Sequence, residues 1–249
     1  MSTNIVLQQD HGAVRIITMN RPEKKNAFNN ALYHAMAKAI AAATADDSVR
    51  VLLITGAGNA FSAGQDISEM SIEAGAELGF PTFMNTLIAC DKPVLTAVNG
   101  VGVGIGLTML LHTDINYIGE SARLRAPFVT LGVVPEAGSS LLLPEVIGYQ
   151  RAAELLFTAR WITAAETVEL GLTYAMVSDA KLLETALAKA AEIAANPPQS
   201  MRHTKSLLKI WRKQSIADAR AREDEAFGER LASAENAEAV RAFFERRNR

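Results

Sequence analysis

The chain has 249 residues, of which 49% are hydrophobic and 21% charged, and its formal net charge is −2 at pH 7. A chain of this length and composition can build one large core, or a core plus an appendage, without disulfides or metals. A net charge so close to zero gives no reason to expect a nucleic-acid partner. No apolar run reaches about 18 residues without polar breaks, so we expect no membrane span.

Cysteine and histidine usage predicts a reducing compartment and no metal site. Cys90 is the single cysteine, which excludes an internal disulfide and fits a cytoplasmic protein. The first residues lack the basic-then-apolar order of a signal peptide, which favours the same compartment. The histidines stand far apart, without a ligand-like partner three or four positions away, so we expect no bound metal.

Short β-branched segments open the chain and alternate with a helical pattern. Ile5–Leu7, Val14–Met19 and Val51–Thr55 are predicted to be strands, and the alanine-rich stretch Ala31–Thr44 between the last two is predicted to be a helix. A second unit of this kind follows, with a strand over Val94–Val98. Because parallel strands need helical crossovers, this order predicts an α/β fold.

Between and after these units the signals are mostly helical. Ser68–Phe80 mixes acidic, small and glycine residues, which predicts a mobile segment beside a site, and a helical pattern follows from Pro81 to Cys90. Thr163 to Glu166 form a capping box for a short helix that stops at Gly171.

The carboxy-terminal part of the chain is almost continuously compatible with helix. Asn196-Pro-Pro separates it from the rest, which predicts an α/β core over residues 1–195 and a helical region over 196–249. Apolar side chains in this region need a surface to cover, either the core or another subunit, so we expect an oligomerisation region here. They include Leu207, Leu208, Trp211, Phe227, Leu231, Val240 and Phe243.

Four glycines between Val98 and Thr108 lie between a strand-like and a helix-like segment. Such a loop presents backbone N–H groups at a helix amino terminus, which suits either a bound phosphate or an oxygen that becomes anionic during a reaction. Close packing of helix on strand is the alternative explanation. A dinucleotide loop needs a glycine three residues beyond Gly102 or Gly104, where Ile105 and Leu107 stand instead. The anionic oxygen is therefore favoured.

Four motifs in order resemble the crotonase family, the enoyl-CoA hydratase and isomerase superfamily, from about residue 5 to the carboxy terminus. They are Asn20-Arg-Pro-Glu-Lys-Lys-Asn-Ala-Phe-Asn29, Phe61-Ser-Ala-Gly-Gln-Asp-Ile67, Ala97-Val-Asn-Gly100 with its glycine loop, and the segment from Ala126 to Gly138. Each motif is weak alone, but four in the family's order and spacing are specific.

The resemblance implies a spiral of β-β-α units with a carboxy-terminal helical region, assembly into homotrimers or hexamers, and an acyl-CoA thioester substrate. Coenzyme A is then part of the substrate, and no separate cofactor is expected. The family holds the thioester oxygen between two backbone N–H groups, and the motifs assign these donors to Gln65 and Ile105. Losing one such donor typically costs on the order of 100- to 1000-fold in rate.

The same resemblance assigns contacts with coenzyme A. Lys24, Asn26 and Ala27 are implied along the phosphate and pantetheine path. Ala63, Asp66 and Ile67 are implied near the adenine end, and Phe243 and Arg246 at the aromatic and basic positions that approach the ligand. For Lys24 and Arg246, a solvated surface charge is an equally good explanation.

Departures from the family pattern bear on the reaction. A hydratase of the family uses two glutamates, whose positions are Thr108 and Phe128 here, and phenylalanine cannot transfer a proton. Instead Glu136 precedes Ala-Gly-Ser-Ser, a pattern that resembles the peroxisomal-type delta3-delta2-enoyl-CoA isomerases, in which this glutamate is the base. Moving a double bond needs a single base, whose pKa should be raised by apolar neighbours such as Val103, Val134 or Phe128.

Three readings stay open on the sequence. The first is an isomerase acting on 3-enoyl-CoA in fatty acid degradation, and the second is a hydratase or other enolate chemistry on an acyl-CoA thioester. The third is a non-catalytic acyl-CoA binder, in which Glu136 is only an acidic residue favoured at a helix amino terminus. The acyl pocket is expected from the segment Ser68–Leu87 and the carboxy-terminal helices.

Overall fold

The computed structural model describes residues 4–69, 78–231 and 233–247. Its strands form two sheets, one ordered β1-β2-β3-β5-β7-β10 and the other β4-β6-β8-β9. The strands are β1 Val6–His11, β2 Val14–Met19, β3 Val51–Gly56, β4 Ala60–Ser62, β5 Val94–Val98, β6 Val101–Val103, β7 Ile115–Gly119, β8 Arg123–Arg125, β9 Ile162–Thr163 and β10 Ala175–Val177.

The sheets share the chain in a regular way. The pairs β3 and β4, β5 and β6, and β7 and β8 each place one strand in the first sheet and the next in the second, and a helix follows each pair. Strands β2, β3, β5, β7 and β10 are parallel, whereas β1 pairs with β2, and β9 with β8, in antiparallel fashion. This is the predicted α/β spiral of β-β-α units.

The helices are longer and more numerous toward the carboxy terminus. They are α1 Asn30–Ala45, α2 Gly79–Ala89, α3 Ile105–Thr108, α4 Ser139–Ile147, α5 Tyr149–Thr158, α6 Ala164–Glu169, α7 Leu182–Ala194, α8 Pro198–Lys209, α9 Lys213–Leu231 and α10 Ala234–Arg247. In α6 the predicted cap is confirmed, because Thr163 Oγ1 accepts a hydrogen bond from the Glu166 N–H at 3.3 Å. None of the described helices combines the length and apolar character that a membrane crossing requires.

The core lies on both faces of the six-stranded sheet. All six residues of β3 and all five of β5 are buried, as expected for central parallel strands covered on two sides. Helix α1 packs on one face with its buried apolar side chains. Helix α7 covers the other with small residues, Ala186, Ala190 and Ala194.

The carboxy-terminal helices fold back onto the spiral. Lys205 of α8 forms a 2.7 Å ion pair with Asp114, which follows α3. Asn236 of α10 donates a hydrogen bond from Nδ2 to the Leu131 carbonyl at 2.7 Å. The core is therefore one of the surfaces that this helical region covers, while its role in oligomerisation stays a prediction.

Asn26 joins the segment before α1 to the turn before β4. It is fully buried with a left-handed φ of 55°. Its Oδ1 accepts the Arg21 N–H at 3.0 Å, and its Nδ2 donates to the carbonyls of Ala57 at 2.9 Å and Ala60 at 2.8 Å. These bonds fix the turn between β3 and β4, where the chain passes from the first sheet to the second.

We expect Asn26→Ala to lower the free energy of unfolding by about 3 kcal/mol, because it leaves a buried donor, a buried acceptor and a half-buried acceptor without their side-chain partner. Urea denaturation measures this. Asn59→Ala is the matched control, since Asn59 is exposed in the same turn, and it should change stability by less than about 0.5 kcal/mol. Equal midpoints for the two variants would contradict the expectation.

Candidate active site

The first part of the site is the backbone around Gln65. Phe28 and Gln65 form a parallel bridge in which the Phe28 N–H donates to the Gly64 carbonyl at 2.7 Å, and the Asp66 N–H donates to the Phe28 carbonyl at 2.8 Å. In this pattern the N–H of the central residue points away from the partner strand. The Gln65 N–H accordingly donates to no acceptor within the described residues.

The second part is the start of α3. Gly104 precedes it with a φ of 53°, and its carbonyl accepts the N–H groups of Leu107 and Thr108. Ile105 is the first helical residue, so its N–H precedes the first helical hydrogen bond and has no partner among the described residues. The left-handed turn at Gly104 makes this abrupt start possible without the steric cost of a side chain.

Glycines bring these two loops together. A Cβ atom on Gly64 would lie 2.8 Å from the Val103 carbonyl oxygen, and one on Gly106 would lie 2.7 Å from the Ser62 carbonyl oxygen. The backbones therefore approach more closely than any residue with a side chain allows. The result is that Gln65 and Ile105 line one and the same cavity.

The cavity occupies about 590 Å³ including its opening to solvent. Its wall is apolar apart from a few backbone groups and three polar side chains. Glu136 is the only ionisable residue among the described lining residues, which are Gly64, Gln65, Ile67, Val103, Gly104, Ile105, Pro127, Phe128, Leu131, Val133, Glu136, Phe227, Leu231, Asn236 and Val240. A mostly apolar cleft with few polar groups is the usual form of a small-molecule site.

Glu136 has an unusually high affinity for protons. Burial raises the pKa of this carboxyl group to about 8, with smaller contributions from the negative charges of Glu223 and Asp224. A weak hydrogen bond from Thr108 Oγ1, at 3.5 Å, acts in the opposite direction. The apolar neighbours expected from the sequence include Val103 and Phe128, which line the same cavity, whereas Val134 is not part of its wall.

Glu136 stands in a tight turn before α4. Ala137 and Gly138 both have left-handed backbone, with φ values of 60° and 75°. The Glu136 carbonyl accepts hydrogen bonds from the Ser139 N–H at 3.0 Å and from Ser139 Oγ at 2.6 Å. Ser139, the first serine of the Ser-Ser pair, thus closes the turn that presents the carboxyl group.

The residues assigned to coenzyme A at the two early motifs lie on paired segments. The Ala63 N–H donates to the Lys25 carbonyl at 2.9 Å, and the Ala27 N–H donates to the Lys24 carbonyl at 3.1 Å. Lys24 is exposed, whereas Asn26 and Ala27 are buried. The side chain of Asn26 is fully engaged with the protein, and the contact of these residues with coenzyme A stays a prediction.

Asp66 forms a buried ion pair. Its Oδ2 lies 3.2 Å from Arg21 Nη2, and its Oδ1 accepts the Ser68 hydroxyl at 2.6 Å. Although burial acts to raise it, the hydrogen bonds from Ser68 and Arg21 hold the pKa of Asp66 below its usual range. Its carboxylate thereby links the Gln65 loop to Arg21 in the segment before α1. Ile67, the next residue, lines the cavity, and the contact of both residues with coenzyme A stays a prediction.

The carboxy-terminal helices supply part of the wall. Phe227 and Leu231 of α9, with Asn236 and Val240 of α10, line the cavity, and that this part of the wall holds the acyl group stays a prediction. Of the expected segment Ser68–Leu87, residues 70–77 lie outside the described residues, and no described residue of α2 lines this cavity.

Phe243 and Arg246 lie farther along α10. Phe243 contacts Phe244 edge-on, with ring centroids 5.6 Å apart, and it is not among the described wall residues. The side chain of Arg246 is outside the part of the structure that is described. Sequence reasoning did not assign Leu131 and Val133 to the wall, although both lie in the motif from Ala126 to Gly138, because their residue types do not distinguish them from ordinary core residues.

Comparison with known proteins agrees with this geometry. The family model described as "Enoyl-CoA hydratase/isomerase" matches residues 9–249. The chain belongs to the enoyl-CoA hydratase/isomerase family.

Relatives within the family carry different activities. The short-chain-enoyl-CoA hydratase of Clostridium acetobutylicum is 34% identical over 254 residues, which cover 99% of this chain and 97% of that protein. Enoyl-CoA delta isomerase 2 of Rattus norvegicus is 32% identical over 250 residues, covering 97% of this chain and 64% of that protein. A crystal structure of an enoyl-CoA hydratase/isomerase from Pseudoalteromonas atlantica T6c matches with a TM-score of 0.94 and 39% identity, covering 97% of both chains.

The raised pKa of Glu136 predicts a pH-dependent cost in stability. The unfolded chain releases this proton near pH 4.5, the ordinary pKa of glutamate, whereas the folded protein holds it until about pH 8. The folded state is therefore favoured below pH 4.5, and this advantage is lost as the pH rises to 8. Glu136→Gln should raise the free energy of unfolding by at least about 1 kcal/mol at pH 8 and leave it unchanged at pH 4, since one pKa unit corresponds to about 1.4 kcal/mol.

Urea denaturation at the two pH values measures this difference. Glu225→Gln is the control, because Glu225 is exposed on α9 and should give no such pH-dependent gain. An equal effect of Glu136→Gln at both pH values would contradict a raised pKa at this position.

Proposed function

We propose that this protein isomerises 3-enoyl-CoA to 2-enoyl-CoA, with Glu136 as the single acid–base group. The observation that carries the proposal is the pairing of one ionisable side chain with two unpartnered backbone N–H groups in the described wall of one apolar cavity. Fatty acid degradation is the process that such a reaction would serve.

The reaction needs a base and a place for negative charge. The Glu136 carboxylate removes a proton from the α carbon of the thioester, and the electrons move toward the thioester oxygen. The N–H groups of Gln65 and Ile105 hold the resulting dienolate, which favours the transition state because these donors are fixed in advance. Glu136 then returns the proton to the γ carbon, and the double bond ends between the α and β carbons.

Hydration is less well supported by this cavity. Adding water across the double bond calls for an oriented water and for proton transfer on both sides of the bond. Thr108 and Phe128 stand where the resemblance places the two glutamates of a hydratase, and Phe128 adds only apolar surface to the wall. Relatives with hydratase names keep this reaction as the second candidate.

The proposal is tested with purified protein and two substrates, 3-hexenoyl-CoA and 2-hexenoyl-CoA, by following the absorbance of the conjugated enoyl thioester. We expect the absorbance to rise with the first and to stay constant with the second. Glu136→Gln should lower kcat by about 100-fold or more, because proton transfer by a positioned group contributes about 10²–10⁴-fold. Affinity for the coenzyme A thioester should remain.

Glu225→Gln is the control for this substitution, since Glu225 is exposed on α9, and it should leave kcat within about twofold. Loss of absorbance with 2-hexenoyl-CoA would mean that water is added, and the single-base mechanism would fall. Binding without turnover in the unsubstituted protein would identify a non-catalytic acyl-CoA binder instead.

The pH dependence provides a further expectation. Because the ionised form of Glu136 is the base and its pKa is about 8, kcat/KM for 3-hexenoyl-CoA should rise about tenfold per pH unit below pH 8 and level off above it. Initial rates between pH 6 and 9.5 measure this profile. A flat profile across this range would exclude Glu136 as a base with a raised pKa.

A further inference from the structure

The turn that carries Glu136 is held from two sides by residues that line no part of the cavity described above. Glu223 approaches it from α9, and His112 approaches it from the short 3-10 helix Met109–His112 that follows α3. Both side chains are buried. They meet at the two ends of the peptide group that joins Ala137 to Gly138, His112 at its carbonyl oxygen and Glu223 at its N–H.

Glu223 accepts hydrogen bonds from two backbone N–H groups that follow Ala137. Its Oε2 accepts the Gly138 N–H at 2.5 Å, and its Oε1 accepts the Ser140 N–H at 2.8 Å. These N–H groups stand at the start of α4, where a negative charge is favoured. One carboxylate from the carboxy-terminal region therefore caps the helix that begins directly after the Glu136 turn.

His112 binds the carbonyl group of Ala137. Its Nε2 lies 2.6 Å from the Ala137 carbonyl oxygen. A carbonyl only accepts, so Nε2 carries the proton of this bond. Burial lowers the pKa of His112 to about 4, so the ring is a neutral donor at the pH of most assays.

The turn needs such support because Ala137 is not glycine. Its φ of 60° is a conformation that an alanine adopts only where its surroundings over-determine it. If Ala137 relaxed to an ordinary backbone conformation, the preceding Glu136 side chain would turn away from the Gln65 and Ile105 N–H groups. The bonds to the Ala137 carbonyl and from the Gly138 N–H, together with those that Ser139 donates to the Glu136 carbonyl, oppose this relaxation.

We propose that Glu223 is a positioning residue for Glu136: its carboxylate fixes the turn that aims the Glu136 carboxyl group. The expected effect of Glu223 on the reaction rate rests on the proposed function, whereas its expected effect on the Glu136 carboxyl group does not. Several other groups face this region from neighbouring elements: Asp224 and Arg220 on α9, His112 after α3, Tyr33 on α1 and Thr108 on α3.

Two substitutions distinguish the effect of where the Glu223 carboxylate lies from the effect of its charge. Glu223→Asp keeps the charge but is one methylene shorter, so it withdraws from the Gly138 and Ser140 N–H groups. It should lower kcat for 3-hexenoyl-CoA by about tenfold or more, since small misplacements of a catalytic group are costly, with KM within about twofold. Glu223→Gln keeps the length but removes the charge, so it should also move the pKa of Glu136 down by roughly one unit.

The pKa of Glu136 is measured directly by carbon NMR of protein with labelled glutamate carboxyl groups, assigned by the signal lost in Glu136→Gln. Glu225→Gln, one exposed charge removed on the same helix, is the matched control and should alter neither kcat nor this pKa. The NMR titration needs no turnover. If the unsubstituted protein fails to isomerise 3-hexenoyl-CoA, the proposed function falls, but a lowered Glu136 pKa in Glu223→Gln still supports the role of Glu223.

The outcome that overturns the inference is an unchanged Glu136 pKa in Glu223→Gln together with rates that fall, in both Glu223 variants, only in proportion to the loss of folded protein. If either Glu223 variant fails to fold, variants of His112, which bonds to the same turn, provide the test instead. His112→Gln keeps a neutral N–H donor for the Ala137 carbonyl, whereas His112→Leu removes it. Rescue of kcat by glutamine relative to leucine, at equal folded fraction, supports a turn held by hydrogen bonds, and equal kcat values overturn it.

Discussion

The site depends on one close approach of two backbone segments. Where Gly64 meets the Val103 carbonyl, a Cβ atom would lie 2.8 Å from that oxygen, so glycine alone permits the contact. The segments follow β4 and β6, which are neighbours in the smaller sheet. Because parallel neighbours end at the same edge, their loops meet there, and the free N–H groups of Gln65 and Ile105 come to one cavity.

A site of this kind opposes folding locally. It combines a carboxyl group whose proton affinity is raised by burial, a left-handed alanine beside it, and two backbone donors that have no partner among the described residues. Each of these costs free energy, and functional sites are where such costs are retained. The central strands β3 and β5, buried along their whole length, and the helices on both faces supply the compensating apolar burial.

The carboxy-terminal helices do more than cover the core. Helix α9 contributes Phe227 and Leu231 to the cavity and Glu223 to the turn beside it, so the wall and the support of the acid–base group come from one element. Helix α10 begins against Gly132, where a Cβ atom would lie 2.8 Å from the Asn236 backbone. The shape of the cavity is thus coupled to how these helices pack on the spiral.

The sequence by itself determined the strands Val14–Met19 and Val94–Val98 to the residue, the α/β fold class, the capping box at Thr163 and the glycine loop, because periodicity, capping and glycine spacing are local signals. The resemblance of its motifs to the family implied the spiral and singled out Glu136 and the motif around Gln65. The sequence did not indicate that the side chains of Asn26 and Asp66 bond to other residues of the protein, nor that the helix after the glycine loop ends at Thr108. Only the tertiary structure decided that Glu223, 87 positions after Glu136 along the chain, caps the helix after its turn, and that His112 holds the turn from the opposite side. Contacts between residues so distant in sequence arise from the packing of separate elements, which no local pattern records.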